Sequence, residues 1–192
     1  MEKFLYLTHA EWVEPWVSGG RVPLSLASSY LSTKRHQTLT PDETKIDNSS
    51  HDIKDYPFIK HVGKGHSKTI IGNLYIGDAL VAQNLHFDTA YEDGLVLCLA
   101  NRKSNYIAKK LGKIACVRIL DIYELKRILD EQIGSVSQMD CCKYTDSHLR
   151  NHFLKSKADE WQDEFRLFWK DAIPQEVTIP KGIAVREKIR CK

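Results

Sequence analysis

Residues 155–169 read KSKADEWQDEFRLFW, and the alternation in the second half of this stretch decides the fold around it. Successive side chains of a strand point to opposite faces, so Phe165, Leu167 and Trp169 fall on one side while Gln162, Glu164, Arg166 and Phe168 fall on the other. The spacing predicts a strand over Gln162–Trp169 with its Phe165, Leu167, Trp169 row in the core. Gln162, Glu164 and Arg166 then share a polar face directly after Trp161, a residue able to wall a pocket. On these residues alone, a Glu164–Arg166 ion pair on a solvated strand face is a sufficient explanation.

Upstream of this strand, Leu149, Phe153 and Leu154 predict a polar helix over Leu149–Ala158, preceded by a short strand near Met139–Tyr144. Downstream, Glu176–Val185 reads as a last strand and Arg186–Lys192 as a frayed basic tail. Gly94–Ala100 (GLVLCLA) is apolar enough for a strand buried on both faces. Ser104–Leu111 reads as a helix closed by Gly112, and Ile114–Leu120 as a strand. Asp121 and Glu124 form a capping box for a helix in which Ile122, Leu125, Ile128, Leu129 and Ile133 recur at helical spacing before Gly134. At the start of the chain, Phe4–His9 is a strand, Trp12–Val17 a short helix stopped by Gly19-Gly20, and Arg21–Leu26 a second strand. Thr69–Gly77 resumes regular structure after a long polar stretch. Strands and helices mix without a strand-helix repeat, which implies an α+β fold.

A length of 192 residues, 42% of them hydrophobic, suits one domain spanning residues 1–192. The stretch Leu31–Lys68 is polar and basic, with Lys34, Arg35, His36, Lys45, His51, Lys54, Lys60, Lys64 and His66, and reads as a long mobile loop suited to substrate contacts. Thr40-Pro41-Asp42-Glu43 within it has the form of a helix start. A net charge of +3, from 28 basic and 25 acidic residues, does not announce a nucleic-acid binder, so any polyanion contact must be local. The five cysteines are odd in number and lack framework spacing, the N-terminus lacks a signal pattern, and no apolar run approaches the ~20 residues that cross a bilayer. These features lead to the expectation of a reduced, cytoplasmic protein without membrane association.

Lys155, then Trp161, then Glu164-x-Arg166 resembles the pattern near the C-terminus of ADP-ribosyltransferase-like proteins, and Gln162-x-Glu164 is similar to the Q-x-E signature of transferases that modify side-chain amides or nucleobases. FLYLTH (residues 4–9) and VPLSLASSYL (residues 22–31) resemble the first two motifs of the same superfamily, in the same order. The chain as a whole resembles bacterial antiphage toxins of this superfamily that modify messenger RNA and are held in check by an antitoxin. The resemblance implies a split β-sheet core with peripheral helices, NAD as co-substrate, Glu164 as catalytic carboxylate and Gln162 as the residue orienting the acceptor. It implies NAD-holding roles for Thr8, His9, Ser28 and Tyr30, with Tyr30 stacking on nicotinamide, and RNA as acceptor. Tyr6 competes with Thr8 and His9 for the first role and Ser29 with Ser28 and Tyr30 for the second. Arg21 is a candidate partner for the NAD pyrophosphate, though a solvated arginine accounts for it equally. The chemistry suits these residue types: cleavage of the nicotinamide–ribose bond passes through an oxocarbenium-like transition state that a fixed carboxylate stabilises.

If RNA is the acceptor, Lys34, Arg35 and Lys64 would meet phosphates, and Tyr56 or Phe58 would stack on a base. Cys141, Cys142, His148 and His152 fit zinc poorly, because the two thiolates are adjacent, and no metal is expected. Gly63-Lys64-Gly65-His66-Ser67-Lys68 matches neither a P-loop nor a dinucleotide fingerprint. Two rival functions remain: a noncatalytic nucleic-acid- or protein-binding module of the same fold, and an NAD glycohydrolase.

Overall fold

The computed structural model describes residues 1–31, 66–90, 93–146 and 151–190. The expected helix at Thr40–Glu43, the cations Lys34, Arg35 and Lys64, the aromatics Tyr56 and Phe58, and His148 lie outside them. His66–Lys68, placed in the loop by composition, instead begin a strand.

The chain is a mixed α+β structure built mainly of antiparallel strands. At its centre lies β5, Gly94–Ala100, buried on both faces as its apolar run requires. One edge of β5 pairs along its whole length with β10, Glu164–Lys170, in the register Glu164↔Ala100 to Lys170↔Gly94, and β10 in turn pairs with β7, Gln138–Cys141. The other edge is divided. β2, Gly20–Leu26, pairs at Leu95 and Val96, whereas β1, Lys3–Leu7, pairs only at Ala100. That edge of β5 is thus shared between two strands, β2 at its start and β1 at its end. β11, Gln175–Ile179, extends the β2 side, and β6, Ala115–Ile119, with β12, Ala184–Glu187, extends the β1 side. A separate hairpin joins β3, His66–Ile76, to β4, Ala79–Ala90.

The strand faces follow the alternation. Phe165, Leu167 and Trp169 share the principal core with Leu95, Leu97 and Leu99, covered by Trp16 of α1, Glu14–Val17, and by α3, Ile122–Ile133. α3 is fixed at both ends. The Asp121 carboxylate accepts from the Tyr123 N–H, and Gly134 takes the left-handed conformation that permits its N–H to reach the Asp130 carbonyl. Glu124 does not complete the expected capping box; its carboxylate meets Arg127 at 2.7 Å instead. The Trp169 indole donates to Asp130 Oδ1 at 2.7 Å, which ties α3 to β10. Gly94 is obligatory, since a Cβ there would lie 2.1 Å from the Trp169 carbonyl oxygen.

Several sequence-based boundaries are corrected. The predicted helix over Leu149–Ala158 is replaced, in its described part, by a strand, β9 (Leu154–Ser156), paired in parallel with β8, Lys143–Thr145. The expected strand at Met139–Tyr144 is two strands, β7 and β8, and the expected strand at Glu176–Val185 is likewise two, β11 and β12. The helix expected at Trp12–Val17 is a 3-10 turn, Ala10–Val13, running into α1. The described part of the tail expected to fray, residues 186–190, is tied to the fold: β12 continues to Glu187, Ile189 packs against the cluster that contains Tyr6, and the Arg190 N–H donates to Asn105. Among the described residues no helix is long and apolar enough to cross a membrane.

Candidate functional site

Residues paired across antiparallel strands share a face, so Glu164, Arg166 and Phe168 lie with Ala100, Cys98 and Val96, opposite the principal core. This face is not solvated. Glu164 is 6% exposed and Arg166 3%, beneath β8, β9 and a 3-10 turn at Lys157–Gln162. The expected open polar face is therefore a buried one.

Gln162 is not part of the strand, which starts at Glu164. Asp163 between them adopts the left-handed conformation, φ 47°, and is held there by Asn101, whose N–H donates to the Asp163 carbonyl and whose amide donates to its carboxylate at 2.9 Å. Strand alternation thus pairs Gln162 with Glu164 for the wrong reason. What joins them is Lys155: its Nζ donates to Gln162 Oε1 at 2.7 Å and to Glu164 Oε2 at 2.8 Å. Arg166 adds Nε to Glu164 Oε1 at 2.8 Å, Nη2 to Oε2 at 3.2 Å, and Nη1 to the His152 carbonyl at 3.0 Å. Gln162 Nε2 donates to Asp159 at 3.3 Å. The Glu164 N–H donates to the Tyr144 hydroxyl at 2.9 Å, and the His152 ring stacks on Phe168 with centroids 3.8 Å apart.

Burial would raise the Glu164 pKa, but the charges and hydrogen bonds of Arg166 and Lys155 outweigh it and hold the carboxyl down at about 2. Lys155 and Arg166 are both buried and both meet the Glu164 carboxylate, and Asp159, on the far side of the Gln162 amide, is buried as well. Among the described residues Oε2 of Glu164 accepts two bonds and Oε1 one, so that Oε1 has one further acceptor position toward them. Burial also pushes the Tyr144 hydroxyl pKa up.

The other sequence-predicted residues are distributed around the divided edge of β5. Thr8 follows β1, and its hydroxyl accepts from Lys113 at 2.7 Å. His9 is half exposed, edge-on to Trp12 at 4.5 Å and 3.7 Å from Glu11. Arg21, on the same face of β2 as Ser25 and hence of Glu164, is exposed and 3.8 Å from Glu176. Ser28 and Tyr30 lie in the 3-10 turn Ala27–Leu31; the Ser28 N–H donates to Asp93, and Tyr30 packs with Ala27, Val96 and Phe168 on the Glu164 face. The structure therefore joins Glu164 to Gln162 through Lys155 and brings Tyr30 to the same face, whereas Thr8, His9, Arg21 and Ser28 bond to Lys113, Glu11, Glu176 and Asp93 respectively and not to Glu164. Tyr6, the rival to Thr8, is a buried aromatic whose hydroxyl accepts from the Ser104 N–H at 2.6 Å, and burial pushes its pKa up to about 12.

Lys155, Asp159 and Tyr144 were not assigned roles from sequence. Lys155 sits in the motif that carries the resemblance, but its contact with both site residues depends on β9 lying beside β8, which no local pattern signals. The thiols of the suspected zinc group point to different partners: Cys142 is buried with Sγ 4.0 Å from the His152 carbonyl, whereas Cys141 is exposed with Sγ 3.5 Å from Asn101. Comparison with protein-family models, curated proteins and solved structures finds no match.

Proposed function

We propose that this chain is an NAD-dependent ADP-ribosyltransferase with RNA as its acceptor, acting through Glu164. The observation that carries the reading is a carboxylate held ionised by Arg166 and Lys155, with one further acceptor position on Oε1 toward the described residues and the Gln162 amide joined to it through Lys155. The divided edge of β5 also supports it, being the arrangement a split-sheet core of this superfamily would present, with Thr8 just after β1, Arg21 on β2 and Tyr30 in the turn that follows β2. The antiphage toxin role and an antitoxin partner rest on the sequence resemblance and belong to the same proposal.

In this mechanism Oε1 of Glu164 accepts a hydrogen bond from a ribose hydroxyl of NAD. Its charge opposes the positive charge that develops at the sugar as the nicotinamide–ribose bond breaks and the bonding pair leaves with nicotinamide. The acceptor nucleophile bonds to the anomeric carbon and releases its proton to water. Gln162, steadied by Lys155 and Asp159, presents its amide to the acceptor. Because Lys155 and Arg166 already neutralise Glu164, its hydrogen-bonding geometry contributes beside its charge.

The same neutralisation favours one other reading, in which the network is purely structural and the chain is a noncatalytic binding module of this fold. Incubation with labelled NAD and, separately, RNA, DNA and cell protein distinguishes them. Label transfer to RNA by the wild-type chain and its loss in Glu164→Gln supports the transferase. Free ADP-ribose without labelled macromolecule identifies an NAD glycohydrolase, and intact NAD throughout leaves the binding module.

A further inference from the structure

The cations expected to meet RNA were assigned from sequence to residues 31–68, yet the described residues carry a basic and aromatic surface elsewhere. It is built on α2, Asn105–Lys110, whose Ile107 and Ala108 are fully buried against Tyr6 and Cys116 while Tyr106 on the outer side is 59% exposed. Tyr106 meets Trp161 edge-to-face, with centroids 6.1 Å apart and planes at 85°. Lys110 Nζ lies over the Trp161 ring at 4.0 Å and within 5.8 Å of the Tyr106 ring. Trp161 is the residue before Gln162, so this aromatic pair adjoins the Glu164 cluster through the chain itself.

Cations predominate on this surface, although Glu160 is exposed beside Trp161. Arg102, Lys103, Lys109, Lys110 and Arg190 gather around α2, Arg190 being tied there by its N–H bond to Asn105. The carboxylates that meet them are Asp163, 3.2 Å from Arg102, and Glu187, 2.6 Å from Lys103 and also bound by Arg118. Among the described residues Lys109, Lys110 and Arg190 form no ion pair. A solvated helix face ordinarily intersperses both signs; this one presents cations beside an exposed aromatic.

We infer that the α2 surface is a docking site for single-stranded RNA, in which a base stacks on Tyr106 beside Trp161 and Lys109, Lys110 and Arg190 contact phosphates on either side. The occupant follows from the chemistry: cations alone would serve any polyanion, but an exposed tyrosine braced edge-on by tryptophan offers a flat face to an unpaired base, and stacking on such rings tolerates any base. The inference deepens the proposed transferase reading, because the docked strand would pass next to Gln162.

The test measures binding of a short fluorescent single-stranded RNA by anisotropy, without NAD, over a range of salt concentrations. Tyr106→Ala should weaken binding roughly 5- to 150-fold, as loss of one stacked base does. Lys109→Gln combined with Lys110→Gln should reduce the slope of log affinity against log salt by about 1.4, as loss of two phosphate contacts to a single strand does. Polyglutamate serves as a polyanion without bases. If RNA and polyglutamate bind equally and Tyr106→Ala changes neither, the surface takes an acidic protein and the RNA assignment is overturned. Unchanged RNA binding in both variants overturns it as well. The two proposals fail separately: a wild-type chain that binds RNA through α2 but never labels it from NAD refutes the transferase alone, and wild-type labelling of RNA left unchanged by Tyr106→Ala refutes the docking site alone, while Glu164→Gln,Lys155→Met, which leaves α2 untouched, should bind RNA as wild type does without labelling it.

Discussion

Replacing Glu164 by Gln keeps the shape of the side chain and removes the one charge that two buried cations, Lys155 and Arg166, both meet among the described residues. Lys155 and Arg166, each 3–4% exposed, would then lose the buried carboxylate that both of them meet. Removing one partner of a buried ion pair costs about 3–5 kcal/mol, since the uncompensated charge stays buried. The depression of the Glu164 pKa from 4.5 to about 2 gives a similar order, at roughly 1.4 kcal/mol for each unit. For a chain of this size that loss corresponds to a fall in melting temperature of about 6–20 °C. Loss of activity in Glu164→Gln could therefore come from unfolding, and a second substitution separates the causes. Glu164→Gln with Lys155→Met removes one buried cation along with the carboxylate. Differential scanning fluorimetry should show most of the lost melting temperature restored, while transfer of label from NAD stays abolished. A Glu164→Gln protein within about 2 °C of wild type would refute the charge argument, and label transfer recovered in the double variant would refute the catalytic role of Glu164.

Acid should weaken the fold in a way that depends on Glu164. Its pKa is lower in the folded chain, so its contribution is complete above the unfolded value of 4.5 and is lost as pH falls toward about 2; urea midpoints measured across this window should fall less steeply in Glu164→Gln than in wild type. Tyr144→Phe removes the hydroxyl that accepts from the Glu164 N–H and should destabilise by about 1–3 kcal/mol in urea titrations; no change would mean that this contact does not hold the start of β10. Gly94→Ala should prevent soluble folding or lower the melting temperature severely, because its Cβ would meet backbone 2.1 Å away, whereas Gly112→Ala, with open space around it, should survive with only the cost of its left-handed backbone.

Local pattern determined a good part of this structure. The alternation Phe165, Leu167, Trp169 put those side chains in the core, the unbroken apolar run of Gly94–Ala100 made β5 a strand buried on both faces, and the helical spacing of Ile122, Leu125 and Leu129 between Asp121 and Gly134 set α3. Each of these signals needs only the residues that carry it. The prominence of Glu164 was legible too, through its place in the motif. Tertiary structure decided the rest. Alternation says which side of a strand a residue faces but not what covers that side, so the face of Glu164 and Arg166 looked solvated until β8, β9 and the turn before β10 closed over it. The left-handed Asp163, which separates Gln162 from the strand, is held by Asn101 from a distant part of the chain. Lys155 reaches Gln162 and Glu164 because parallel pairing makes a strand of residues whose own pattern suggested a helix. Likewise the division of β5's edge between β1 and β2 is a property of pairing, and pairing partners are chosen by burial across the whole fold, not by the sequence of either strand alone.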